Sequence, residues 1–473
     1  MKRTSSSECP YQAALSSSAP ASHLPSGTWP PGPAPGLTGW GLLRRMSRNL
    51  LGTLAEWRQS YGDIVHLRMW PERQIIVSEP QLVRELLVNN HDALIRWERG
   101  IRVFSQLHGH SVLTTEGKTW QAKRHALQPS FSPKSIQSFV PAIAGATAKA
   151  FSQWHSADKD WPAESALTSL AMDVIVRMMF SCEIDEDARI AEQAVHDTAR
   201  AANAEMYWPA SWPDWMPWKR KKRQAVNVLS RLIDRYIQAR LQLPPAAWPA
   251  DLLSRLLELH REDSAAWPLK AVRDECMTAF LAGHETAAAT LTWWTWCMAA
   301  NAQAQAAARR EVQEVLQGRV PTANDVPMLS HLTRTLQETL RLYPAAPVLL
   351  SRRSVRPIDL RQWQLPARTM FMVPVQLMHH DPRWFPDPHA FRPERFSHDA
   401  PEIPRGAFMP FGTGPRVCLG QHLAMTEMIV IAAMFLQRFE VTIPVGMPAP
   451  VPVFNISLRP SKPLCLTLSE CFP

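Results

Sequence analysis

One cysteine stands where a helix is about to begin, and few placements favour metal or thiolate chemistry more. It lies in the run Phe408-Met409-Pro410-Phe411-Gly412-Thr413-Gly414-Pro415-Arg416-Val417-Cys418-Leu419-Gly420. Gln421 to Phe435 follow, with helix formers at almost every position. Cys418 is therefore expected at a helix N-terminus, where unpaired amides and the positive dipole end favour a thiolate, the form that ligates a metal. Gly414 suits a tight turn at positive φ, and Gly420 leaves the helix start open to a flat group lying against it. Arg416, two residues before the sulfur, offers a guanidinium to an acidic substituent of such a group, and Phe411 offers an aromatic cover. The plainer reading is a free cysteine packed as a small hydrophobe.

Three further clusters carry polar chemistry. Trp120 and Arg124 are one helical turn apart, so an indole N–H and a guanidinium point the same way, two donors suited to a buried carboxylate; a surface stacking pair has the same spacing. Cys276 to Trp294 is a long, nearly uncharged helix containing Ala282, Gly283, Glu285 and Thr286. Its length allows a bilayer span, but Glu285 near the middle would cost about 2.5–3.5 kcal/mol there, and a helix apolar on all sides equally crosses the core of a large protein. Gly283 costs such a helix roughly 1 kcal/mol relative to Ala, which calls for a reason, whereas a buried Thr286 commonly bonds back to its own helix. Glu338 and Arg341 are one turn apart on a predicted helix, Met328 to Leu342; on a surface such a pair contributes only about 0.2–0.5 kcal/mol.

The pattern F-x-x-G-x-R-x-C-x-G at 411–420 resembles the heme-binding signature of the cytochrome P450 superfamily. Preceding it in the family's order are W-x-x-x-R at 120–124, A-G-x-E-T at 282–286, E-x-x-R at 338–341 and P-x-R-F at 393–396. The resemblance spans roughly residues 40–470. It implies a mainly α fold with a small β region, the cytochrome P450 fold, with heme b (iron protoporphyrin IX) between the Thr286 and Cys418 helices. Cys418 would then ligate the iron, while Trp120, Arg124, Arg416 and Arg352 would meet the propionates, with Arg353 as the competitor of Arg352. His125 stands where a second arginine is common. Ala282 and Gly283 would open a groove for dioxygen, Thr286 would supply a hydroxyl beside it, and Glu285 would lead protons in. Glu338, Arg341 and Arg395 would form a buried structural triad behind the cysteine loop.

The implied reaction inserts one atom of O2 into a lipophilic small molecule, as a hydroxylation or epoxidation of a fatty acid, terpenoid or polyketide-like compound. Phe280, Ala282, Val348, Leu349, Leu350 and Phe454 would line an apolar pocket. Arg96 and Arg99, over the expected distal side, are placed to catch a carboxylate. Little chain follows the heme segment, so electrons are expected from separate proteins, a ferredoxin and its reductase. Two other readings are a peroxide-driven or isomerising heme-thiolate enzyme, which would not need Glu285 and Thr286, and a non-catalytic heme sensor, which would not need the oxygen groove.

The rest of the chain must position these groups. Residues 1–38 read as a Ser/Pro-rich disordered tail and 39–473 as a single heme domain, with no apolar run in the tail long enough for a signal core or anchor. Leu42 to Tyr61 reads as one helix, 64–69 and 74–77 as a hairpin, and 358–360, 369–373, 439–443 and 453–458 as strands. Adjacent His379 and His380 in a strand would face opposite ways and are read as structural, and His284 as a spacer or polar-network member. Residues 207–223 combine four tryptophans with five cations, expected to form a loop over the substrate channel or to touch a membrane transiently. Seven scattered cysteines argue for reduced thiols in a cytoplasm and against a zinc site or disulfide framework. The net charge of +9 is modest and no aromatic-basic RNA motif is present, which excludes nucleic-acid binding and leaves a monomer as the expectation.

Overall fold

The computed structural model describes residues 29–154, 160–183, 186–206 and 215–471. The folded part begins earlier than residue 39. The Pro31 carbonyl accepts from the His66 N–H at 2.9 Å, the Thr38 carbonyl accepts from the Trp70 N–H at 2.8 Å, and the Trp29 ring stacks on His66. Glycine permits this docking, since a Cβ on Gly39 would lie 2.0 Å from the Arg68 carbonyl oxygen. Residues 1–28 of the expected tail lie outside the described residues.

The helix expected over Leu42–Tyr61 is two helices, Trp40–Arg48 and Leu50–Tyr61. They part at Asn49, whose Oδ1 accepts the Gly52 N–H at 3.0 Å. Asparagine caps a helix start well, and that local bond wins over continuation of the first helix. The hairpin Ile64–Met69 with Glu72–Val77 opens a five-stranded sheet continued by Met370–Met372, Arg352–Ser354 and Leu94–Arg96. Val453–Leu458, expected as one strand, is instead an antiparallel pair, Pro452–Asn455 and Ser457–Pro460, reversed at Ile456 with φ 68°. The histidine pair falls at the end of a short helix, Val375–His379, and not in a strand.

The helical body is built along Leu269–Ala300, hereafter the Thr286 helix, which extends the predicted 276–294 segment in both directions. It packs along Ala163–Phe180, Ser330–Leu342 and the cysteine helix Gln421–Arg438. Thr290, Thr292 and Thr295 each donate to a carbonyl of their own helix, at 2.9, 2.8 and 2.8 Å, so these buried hydroxyls are satisfied without water. That satisfaction suits a protein core, and no described helix is long and apolar enough to cross a membrane. The fold is mainly α with a small β region, as expected.

Candidate active site

The cysteine loop is shaped by backbone bonds and two glycines. Gly412 and Gly414 have φ of 78° and 75°, and a Cβ on Gly414 would lie 2.1 Å from the Leu87 carbonyl oxygen. No L side chain fits there. The Val417 N–H donates to Gly414 and the Cys418 N–H to the Phe411 carbonyl, each at 3.0 Å, closing a turn directly before the cysteine helix. Cys418 borders open space yet has protein on its other sides, and Gly420, at the helix start, has no protein atom closer than 3.8 Å to a Cβ built on it. Burial pushes the thiol up, opposed by the Gly420 N–H and by Arg124. Phe411 packs partly buried against the helical core.

On the Thr286 helix nearly every central residue is buried, but Ala282 and Thr286, one turn apart, are exposed. An exposed pair in the middle of a core helix marks the wall of an internal cavity. The Thr286 hydroxyl donates to the Ala282 carbonyl at 2.8 Å. Gly283 faces the neighbouring helix, where a Cβ would lie 2.6 Å from Ile175 Cδ1, so close helix packing supplies a reason for this glycine. Glu285 turns away from the exposed pair into a buried network: Arg459 donates to its two oxygens at 2.9 Å each, and Ser457 Oγ donates at 2.6 Å. Burial pushes the Glu285 carboxyl up, but Arg459 and Ser457 outweigh it and hold it below its ordinary value. Arg459 also donates to Glu164 at 2.9 Å. His284 is buried, with its Nδ1 2.8 Å from the Phe280 carbonyl.

The expected propionate donors converge. Arg416 lies over the Trp120 ring at 3.7 Å and bonds the Thr115 carbonyl and the Glu116 carboxylate, while Arg124 donates to the Val417 carbonyl at 3.0 Å. Arg352 and Arg353 diverge as neighbours in a strand must. Arg353 is taken by Glu72 at 2.7 Å and Glu98 at 2.5 Å, whereas Arg352 donates to the Leu350 carbonyl and joins the cluster. Arg96, paired across strands with Arg352, is its fourth member, a place the sequence reading did not give it. Burial pushes Arg96 well below its ordinary range, and Arg416, Arg352 and Arg124 push it further. Arg96 Nε is buried without a partner. Arg99 stands apart, donating to the Glu205 carbonyl at 2.9 Å. Among the described residues these four guanidiniums have Glu116 as the carboxylate of their cluster, and two heme propionates beside an open thiol and an open helix start would supply the further anions such a cluster requires.

Behind the loop, Glu338 accepts from Arg341 at 2.7 and 2.8 Å and from Arg395 at 3.2 Å, with Glu338 and Arg341 fully buried. Arg341 also donates to the carbonyls of His379 at 2.8 Å and Pro388 at 2.7 Å. His379 completes the connection: its Nε2 accepts the Met409 N–H at 3.0 Å and its Nδ1 lies 3.2 Å from the Arg341 carbonyl. Burial holds His379 neutral, at about 3, as an acceptor toward the cysteine loop must be. His379 was legible as structural, but its bond to the loop required the fold.

Among the expected pocket residues, Val348, Leu349, Leu350 and Phe454 are partly exposed. Phe280 is not with them, being fully buried in the helical core with its ring 5.5 Å from His284. On a helix, it points about 160° away from Ala282 at 100° per residue in the opposite sense to the cavity wall. Of the 207–223 segment, residues 207–214 lie outside the described residues. Trp215 and Trp218 are exposed, but Lys219 and Lys222 are buried on Glu205, at 3.2 and 2.6 Å, so these two of the five cations do not form a solvated face.

Comparison with known proteins bears on most of the chain. The family model described as Cytochrome P450 matches residues 30–468. Cyclooctat-9-en-7-ol 5-monooxygenase of Streptomyces melanosporofaciens is 32% identical over 442 residues, 89% of this chain and 92% of that protein. Protein LUTEIN DEFICIENT 5, chloroplastic, of Arabidopsis thaliana is 27% identical, covering 87% of this chain and 72% of that protein. The retinoic acid bound cyanobacterial CYP120A1 structure matches with a TM-score of 0.82 at 24% identity, over 94% of this chain and 100% of that one, a likeness of fold. With the family model spanning the thiol loop, the cavity-facing helix and the arginine cluster alike, the chain belongs to the cytochrome P450 family and is a heme-dependent monooxygenase.

Proposed function

We propose that this monooxygenase hydroxylates or epoxidises a lipophilic small molecule of fatty-acid, terpenoid or polyketide type, with heme b on Cys418 and electrons from a separate ferredoxin and its reductase. The observation that carries the reading is the exposed Ala282–Thr286 face in an otherwise buried helix, with partly exposed Val348, Leu349, Leu350 and Phe454 as apolar wall. A relative named for oxidation of cyclooctat-9-en-7-ol supports a substrate of this kind. A cytoplasmic location is proposed on the free thiols of the described cysteines.

Heme held by Cys418 would supply the chemistry of O2 activation for transfer of one oxygen atom. Trp120, Arg124, Arg352 and Arg416, with Arg96, would hold its propionates, and the Glu338–Arg341–Arg395 unit with His379 would fix the loop that presents the sulfur. Thr286 is the hydroxyl on the cavity face, poised to hold and pass a proton there. Glu285 sits one residue before it as a carboxylate locked on Arg459, so it carries a proton toward Thr286 only when that pair parts.

The test is the difference spectrum of the reduced protein with CO, for the purified protein and for Cys418→Ala. A Soret band far to the red that is lost in the variant is expected. A band typical of histidine-ligated heme in fresh protein would sink the assignment of Cys418. For the substrate, panels of apolar fatty acids and terpenoids should shift the heme spectrum, and binding only of small polar compounds would overturn the class.

A further inference from the structure

The first helix and the tip of the first hairpin carry large apolar groups that the fold leaves uncovered. Leu37 is 97% exposed, Trp40 48% and Trp70 65%. They belong to one neighbourhood, because the Trp70 N–H donates to the Thr38 carbonyl between Leu37 and Trp40. Two exposed indoles and a leucine side by side are an unusual surface for a water-facing helix start.

The surroundings are cationic. Trp40, Arg44 and Arg48 lie at i, i+4 and i+8, so they form one stripe along the Trp40–Arg48 helix, opposite the buried Leu42 and Met46. Arg68 and Arg73 are exposed on the hairpin flanking Trp70, and Arg73 lies over the Trp29 ring. Arg45 is paired with Glu56 at 2.6 Å, but none of Arg44, Arg48, Arg68 and Arg73 is ion-paired among the described residues. No acidic residue occurs between Glu8 and Glu56.

We propose that this face docks on an anionic lipid surface, with Trp40, Trp70 and Leu37 at the headgroup level and Arg44, Arg48, Arg68 and Arg73 on the lipid charges. Indoles prefer the membrane–water boundary, and a basic stripe beside them is the signature of a helix lying in the interface plane. A second copy of the chain is a poor occupant, because the same cations would face each other. The docking stands on this surface alone, but its use rests on the substrate reading above. The buried side of the patch, Leu42 and Met46, packs in one apolar cluster with the pocket candidates Val348 and Phe454, so a lipid-dissolved substrate would arrive behind the pocket wall.

The test is co-flotation of the full heme-loaded chain, without substrate, with vesicles of phosphatidylcholine alone or with phosphatidylglycerol added. Binding to the anionic vesicles, weakened at high salt, is expected. Trp40→Ser with Trp70→Ser should lower it at least tenfold, and Arg44→Gln with Arg48→Gln should remove the preference for phosphatidylglycerol, both with the heme spectrum unchanged. No binding, binding indifferent to vesicle charge, or binding lost in Trp215→Ser with Trp218→Ser but kept in the Trp40/Trp70 variant would overturn the proposal. Failure of every lipophilic compound to bind the heme pocket while flotation holds would sink the substrate reading instead.

Discussion

Two glycines beside the same sulfur separate what the protein needs from what its cofactor needs. Gly414 is fixed by the polypeptide, through a φ of 75° and the Leu87 carbonyl oxygen in the space of its missing Cβ. Gly414→Ala should cost about 1–3 kcal/mol in urea unfolding even without heme. Gly420 has an ordinary φ and no close protein neighbour. Gly420→Ala should leave the unfolding of the heme-free protein within about 0.5 kcal/mol while speeding heme loss to a scavenger protein. A second residue makes a prediction about pH. Glu427, inside the cysteine helix, has a buried Oε1 without a partner, and burial pushes its carboxyl up to about 8. Folded chains therefore hold a proton there that unfolded chains release above the usual carboxylate range, so stability falls as pH rises from that range to about 8 and then levels off. Glu427→Gln should flatten that decline and be the more stable protein above pH 8, by on the order of a few kcal/mol. An unchanged pH profile of the melting temperature would contradict the assignment.

Helix against helix, Gly283 is a packing residue as well as a member of a motif. Gly283→Ala gains roughly 1 kcal/mol of helix propensity but presses on Ile175, an overpacking cost of about 1–3 kcal/mol. Ile175→Ala in the same chain should relieve it, so the two substitutions should couple by about 1 kcal/mol or more in a double-mutant cycle; simple additivity would place the glycine elsewhere. Between the Ser330–Leu342 helix and the cysteine loop, Glu338 is the shared acceptor of Arg341, Arg395 and the Arg392 N–H, the last at 2.9 Å. Glu338→Gln leaves Arg341 buried without its counter-charge, and a loss of about 3–5 kcal/mol together with weakened heme retention is expected.

Across the whole molecule, the arginine cluster ties folding to cofactor. Arg96, Arg124, Arg352 and Arg416 come from two strands, a helix and a loop and meet in one cluster, with Glu116 beside Arg96, Arg352 and Arg416. Without heme their mutual repulsion acts against the fold, and propionates bound among them would act for it. Heme removal should lower the melting temperature, and moderate salt or inorganic phosphate should recover part of the loss in the heme-free protein more than in the loaded one. Equal salt response of both forms would show that the cluster is already compensated.

Cys418 and its flanking residues were legible because their work is local: a turn, a helix start and a sulfur fit within 411–420. The same holds for Trp120 with Arg124 and for Glu338 with Arg341, which one helical turn brings together wherever the helix lies. Local reading erred where a short bond competed with a pattern, as at Asn49, which divides one apolar periodicity into two helices, and Ile456, which turns one apparent strand into a hairpin. Partners far apart in the chain were beyond it. That Arg459 and Ser457 claim Glu285 from up to 174 positions away, that His379 holds Met409, and that Arg96 stands with Arg124, Arg352 and Arg416 follow from packing between elements remote in sequence. The direction of a side chain across such a distance depends on how helices and sheets pack, and periodicity within one element carries no record of it. The sequence thus determined the local turn and helix start around the thiol, while only the tertiary structure decided which charges gather beside it and which are consumed by the core.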